Sequence, residues 1–185
     1  MNSTFQFENI SIFQHGQMVH ETYNLLLNAF KNHDVDFIEK WTKGLSKDFI
    51  SLLIENQYDM ETMEIYHVYH DCGKPFCREI DAQGKQHFPY HAEISTKIFE
   101  QCFNNNVVKD LIFHDMYFHN LKSNDLQKWL EENKDNKVFL CSLLLTAWSE
   151  IIANSSMFGG ENSTSFKIKR KSLIGAGKKL QSMYI

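Results

Sequence analysis

Prolines number only two and glycines eight among the 185 residues, which excludes collagen-like repeats, Pro-rich linkers and most Gly-rich arrays. No apolar run approaches the ~18 residues of a membrane-spanning helix, so no membrane partner is expected. The opening stretch MNSTFQFENISIFQHG has neither a basic start nor an apolar core, and this predicts no secretory signal. The four cysteines, Cys72, Cys77, Cys102 and Cys141, form no Cys-x-x-Cys pair. A reduced, cytoplasmic chain is the expectation. No unit of 20–50 residues repeats.

What is present is an ordinary globular balance, 43% hydrophobic and 23% charged, and the length suits one domain over 1–185. The net charge of −4 is unevenly spread. From Glu161 to the end stand six Lys/Arg and one acid, leaving 13 basic and 22 acidic side chains on the remainder. A duplex-binding protein is usually basic overall, so extended duplex binding is not expected. The basic segment from about residue 161 reads as a solvated helix face or as a seat for one phosphate. Small and hydroxyl residues run directly into it, and Ser163, Thr164, Lys167 and Lys169 are its candidate anion contacts. The Gly-Lys-Ser/Thr order of a P-loop is absent.

Apolar residues recur at helical spacing along most of the chain. Helices are expected over Val19–Phe30, Asp36–Trp41, Ser46–Ile54 (with Ser46 as cap), Met60–Asp71, His91–Phe103 and Val107–Met116. Further helices are expected over Ser123–Leu130 (with Ser123 as cap), Val138–Ala153 and Ser165–Leu180, the last weakened by Gly175 and Gly177. Gly73 and Pro75 stop the fourth. Asp81-Ala82-Gln83-Gly84-Lys85 reads as a turn or a short hairpin tip. No alternating strand stands out, so the fold class is all-α.

Nine histidines are many for this length, and several neighbour acids. His70-Asp71 closes an apolar helix and continues Cys72-Gly73-Lys74-Pro75. His15 lies upstream; His91 and His114-Asp115 follow; Glu150 interrupts the strongest apolar run. A lone histidine on an apolar face is commonly a core residue, and His67 and His119 read as core or supporting residues. His33 reads as a surface residue. Asp115 is either a ligand or an acceptor that orients an imidazole. Lys74, just past a helix end, suits the negative end of the helix dipole. Tyr90 and Phe88 beside His91 could stack a base.

The ordered set His15, His70-Asp71, His91, His114, Glu150 resembles the HD superfamily of metal-dependent phosphohydrolases. Members carry a first histidine followed four residues later by an apolar residue, as His15 is by Val19. A His-Asp pair often continuing Gly-Lys comes next, then further histidines and a late acid on a helix. The run from His70 to Pro75, with His87-Phe88-Pro89-Tyr90-His91, is most similar to the HD module of some tRNA nucleotidyltransferases. Three features depart from the pattern: the gap from His15 to His70 is long, the late acid is Glu150 where Asp is usual, and His20 is an alternative first ligand.

The resemblance implies a single compact helical bundle and one or two divalent ions (Mn, Fe, Co, Ni, Zn or Mg). One ion would take His15, His70, Asp71 and Glu150, and Asp71 would bridge to a second held by His91 and His114. Asp71, Lys74 and His87 are the implied catalytic residues, with Lys74 facing a phosphate or orienting the metal-bound carboxylate and Arg78 a weaker candidate of the same kind. The implied reaction is hydrolysis, by a metal-activated water, of a phosphomonoester or cyclic phosphodiester in a nucleotide or at a nucleic-acid end. The alternative is a degenerate domain that binds nucleotide or metal in a regulatory or sequestering role.

Overall fold

The computed structural model describes residues 5–7, 10–32, 34 and 40–185. Most of the expected Asp36–Trp41 helix, and His33, lie outside them. Helix dominates, and the fold class is all-α. Nine α-helices occur among the described residues. None is long and apolar enough to cross a membrane. The chain divides into two compact units: Met1–His20 with Asp59–Met116, and Glu21–Tyr58 with Tyr117–Ile185.

The first unit opens with β1 (Phe5–Phe7) paired antiparallel to β2 (Ile10–Ser11) and takes α1 (Ile12–Lys31) as far as His20. It continues with α3 (Met60–Tyr69), a 3-10 turn at Lys74–Phe76, β3 (Glu79–Ile80), β4 (Gln86–His87), α4 (His91–Cys102) and α5 (Asn106–His114). Helix α5 packs on both α3 and α4. Its buried core includes Met63, Tyr66, Phe99, Val108, Leu111 and Ile112. Asp59 and Asn105 cap α3 and α5, accepting the amides of Thr62 and Val108; such caps stabilise by about 1 kcal/mol each. The expected hairpin tip forms at Asp81–Lys85, where Gly84 takes φ 79°. Two short ladders therefore stand where no strand was expected. Each strand is only two or three residues long, too short to show alternation.

The second unit holds the rest of α1, α2 (Lys47–Glu55), α6 (Tyr117–Asn120), α7 (Ser123–Glu132), α8 (Lys137–Ala153), a 3-10 turn at Ser155–Phe158 and α9 (Thr164–Tyr184). Every residue of α8 from Phe139 to Ile151 is buried. A helix apolar on all sides belongs at a centre, and α2, α6 and α9 pack around it. Ser46 caps α2 as expected. At α7 the cap position falls on Lys122, with Ser123 already helical. Helix α9 runs through both glycines. A Cβ at Gly177 would lie 3.2 Å from the Trp148 ring, so glycine lets α9 approach α8, whereas Gly175 faces open space.

All four cysteines are free thiols. Burial pushes the Cys72 thiol up to about 11 and Cys141 to about 12, and raises Cys77. The thiolate is the reactive form. Iodoacetamide at pH 8, followed by mass spectrometry, is expected to modify exposed Cys102 first. Cys72 and Cys141 should react only after denaturant is added; rapid labelling of either in native protein contradicts this core.

Candidate metal centre

Three segments of the first unit meet at one carboxylate. Helix α1 supplies His15, the C-cap of α3 supplies His70, the next residue is Asp71, and α4 begins with His91. Two glycines make the convergence possible. A Cβ at Gly16 would lie 2.5 Å from the His67 carbonyl oxygen and 2.8 Å from Val68 Cα, so α1 rides directly on the α3 backbone. A Cβ at Gly73 would lie 2.4 Å from Ser95 N and 2.8 Å from the His91 carbonyl oxygen. There the turn after Asp71 presses on α4, and Ser95 Oγ accepts the Gly73 amide at 2.8 Å.

Asp71 is 1% exposed. Its Oδ2 lies 3.5 Å from His15 Nε2, 3.3 Å from His70 Nε2 and 2.5 Å from Lys74 Nζ; its Oδ1 lies 3.6 Å from His91 Nε2. Burial strongly opposes its ionisation. The charges of His70, Lys74 and His91 outweigh that and hold the carboxyl well below the usual carboxylate range. Lys74 is itself buried, and its ammonium lies 5.4 Å from the centre of the Phe88 ring.

The imidazoles are oriented by backbone carbonyls. His70 Nδ1 is 2.7 Å from the His67 carbonyl and His91 Nδ1 is 2.9 Å from that of Phe88. A carbonyl only accepts, so each Nδ1 carries a proton and each ring turns its Nε2 toward Asp71. Donor atoms of His15, His70 and Asp71 all lie within 4.8 Å of one another, and this buried group could hold a metal ion. Imidazole with carboxylate suits divalent first-row metals, and carbonyl-fixed tautomers are the usual support for metal-binding histidines.

Of the two candidate first histidines, His15 joins this group; His20 places its Nδ1 3.1 Å from His67 Nδ1. Asp115, left open by the sequence, is buried, has an oxygen within 4.8 Å of a His70 ring nitrogen, and accepts the Tyr66 hydroxyl at 2.5 Å. His114 donates Nδ1–H to the Asp110 carbonyl of its own helix at 2.9 Å and is in no such group among the described residues. His87 lies in β4, half-exposed, 2.7 Å from Asp81 Oδ2. Since Asp81 Oδ1 also accepts the Gln83 and Lys85 amides, that contact ties the hairpin. Arg78, exposed, donates Nε–H to Gln86 across the same hairpin at 2.6 Å.

The remaining expected residues belong to the second unit. Glu150 is buried in α8, with Oε2 2.8 Å from His119 Nε2. Ser163 caps α9, accepting the Phe166 amide at 3.1 Å, and Thr164 and Lys167 are exposed in its first turn. The Lys169 ammonium sits 5.1 Å from the centre of the Phe158 ring.

One backbone outlier adjoins the centre. Tyr90, immediately before His91, has φ 56° and ψ 26°, the one non-glycine among the described residues in the left-handed region. Such a conformation costs about 1–2 kcal/mol.

Searches against family models, curated proteins and solved structures returned no match for this chain.

The Gly16 contact gives a direct test. Gly16→Ala is expected to destabilise the fold by about 1–3 kcal/mol through overpacking and to weaken divalent-metal binding, because the atom it strikes is the carbonyl that orients His70. Gly175→Ala, in open space on α9, should instead stabilise by about 0.5–1 kcal/mol. Denaturant melts with metal titration check both. A Gly16→Ala protein with native stability and metal affinity contradicts the close approach.

Proposed function

We propose that this chain is an HD-type, metal-dependent phosphohydrolase that cleaves a phosphomonoester or cyclic phosphodiester in a nucleotide or at a nucleic-acid end. The observation that carries the reading is the buried group of His15, His70 and Asp71, whose His70 ring is fixed with its Nε2 toward the carboxylate. These three residues would hold the ion. Asp115, seated by Tyr66, adds a carboxylate beside His70. His91, facing the other Asp71 oxygen, offers a donor toward a second ion. A divalent ion supplies an acidified water and neutralises charge on phosphoryl oxygens.

The chain's own part is to position and to supply charge. Asp71 stays ionised at neutral pH because cationic neighbours surround it. Lys74 holds a positive charge at the same oxygen, within reach of a phosphate that enters beside it. With the ammonium released from Asp71, its three N–H groups can donate to phosphoryl oxygens, whose charge grows as the bond to the leaving group breaks. No side-chain nucleophile is required.

A second reading, binding without turnover, is favoured by one contact. The Lys74 ammonium occupies the Asp71 oxygen that an ion would share, so lysine and metal compete. Metal analysis and a phosphate-release screen over nucleotides separate the two. Asp71→Ala is expected to lose metal and hydrolysis together. Lys74→Met should keep the metal and lose roughly 10²–10³ in turnover, the usual cost of one transition-state donor. Unchanged turnover in Asp71→Ala removes the mechanism; bound metal with no turnover of any phosphoester favours the binding role.

A further inference from the structure

Two aromatic side chains next to the candidate centre in the chain are largely exposed. Tyr90 is 76% exposed and Phe76 is 73% exposed, the two most exposed large apolar side chains among the described residues. Phe88, from the same segment, is by contrast engaged by Lys74. Phe76 ends the short turn that starts at Lys74, and Tyr90 directly precedes His91. The two chain segments meet where Gly73 abuts the His91 carbonyl, and the turn packs on α4. Both rings are thus tethered within two residues of a side chain that contacts Asp71. Tyr90 is also held in a strained backbone conformation. Strain of this kind clusters at active sites and ligand clamps, and here it falls on a largely exposed aromatic residue.

We propose that Tyr90 is the stacking platform for the aromatic base of a nucleotide whose phosphate lies at Lys74 and the Asp71 centre. The inference rests on the phosphoester reading for the position of the phosphate and adds the part of the ligand that the ring selects. A cationic, metal-competent floor with aromatic groups at its margin matches a molecule that is anionic at one end and flat and apolar at the other. Stacking is tolerant of base identity, because every base presents a π-face. Tyr90 therefore selects for a base without choosing among bases, and it is a specificity residue that takes no part in bond cleavage.

The test is equilibrium binding by calorimetry, with Mn²⁺ present, of the four nucleoside 5′-monophosphates against ribose 5-phosphate, each as its non-hydrolysable methylenephosphonate analogue. Wild-type protein is expected to bind the nucleotides roughly 5- to 150-fold more tightly than the sugar phosphate. Tyr90→Ala should abolish most of that preference and leave ribose 5-phosphate affinity and metal content unchanged, while Tyr90→Phe preserves it. Equal affinity for nucleotide and sugar phosphate in wild type, absence of binding by either, or a preference retained in Tyr90→Ala overturns the proposal. Metal content measured on the same samples reports separately on the phosphohydrolase reading. A metal-free protein with a Tyr90-dependent preference sustains the platform and removes the hydrolase.

Discussion

A carboxylate withdrawn from water must be surrounded by positive charge or become neutral. Taking an ion out of water costs several kcal/mol even after relaxation, and Asp71 is almost wholly enclosed. Lys74 at 2.5 Å and three imidazole nitrogens at 3.3–3.6 Å answer that requirement. The arrangement is also costly to disturb, since removing one partner of a buried pair typically loses about 3–5 kcal/mol. The same constraint that stabilises the carboxylate makes the place attractive to a divalent cation. Structure and chemistry thus depend on one charge.

The centre is precise because it is built on backbone contacts. The α1–α3 contact is set by the absence of a side chain at Gly16, and the contact of the Asp71 turn with α4 by its absence at Gly73. Each helix then donates or receives through main-chain atoms: the His67 and Phe88 carbonyls orient His70 and His91, and Ser95 takes the Gly73 amide. Side chains fixed by main-chain partners lose little additional entropy when a ligand binds, which is the advantage of a preorganised site.

The sequence reveals what depends on local pattern and obscures what depends on where elements cross. Helical periodicity, the cap at Ser46 and the turn at Asp81–Lys85 all arise from neighbouring residues, and all are present, whereas the cap expected at Ser123 falls one residue earlier, on Lys122. The proximity of His15, His70 and Asp71 follows from the resemblance to a family motif, and their donor atoms do converge. The pairing of His20 with His67 and the Tyr66–Asp115 hydrogen bond were not legible. They are set by how far α1 lies along α3 and how α5 crosses it, distances that no spacing along the chain encodes. His114 shows the converse: it follows the motif order, yet its ring is engaged by the turn beneath it. A histidine near the end of a helix always has that local carbonyl within reach.

The central claim is that His15, His70 and Asp71 together bind one divalent ion. Its most direct test is an anomalous difference map from crystals grown with Mn²⁺. The account predicts a peak within bonding distance of His15 Nε2, His70 Nε2 and an Asp71 oxygen, with Lys74 displaced from that carboxylate. Crystals saturated with Mn²⁺ that show no peak there, and Lys74 still seated on Asp71, would contradict it.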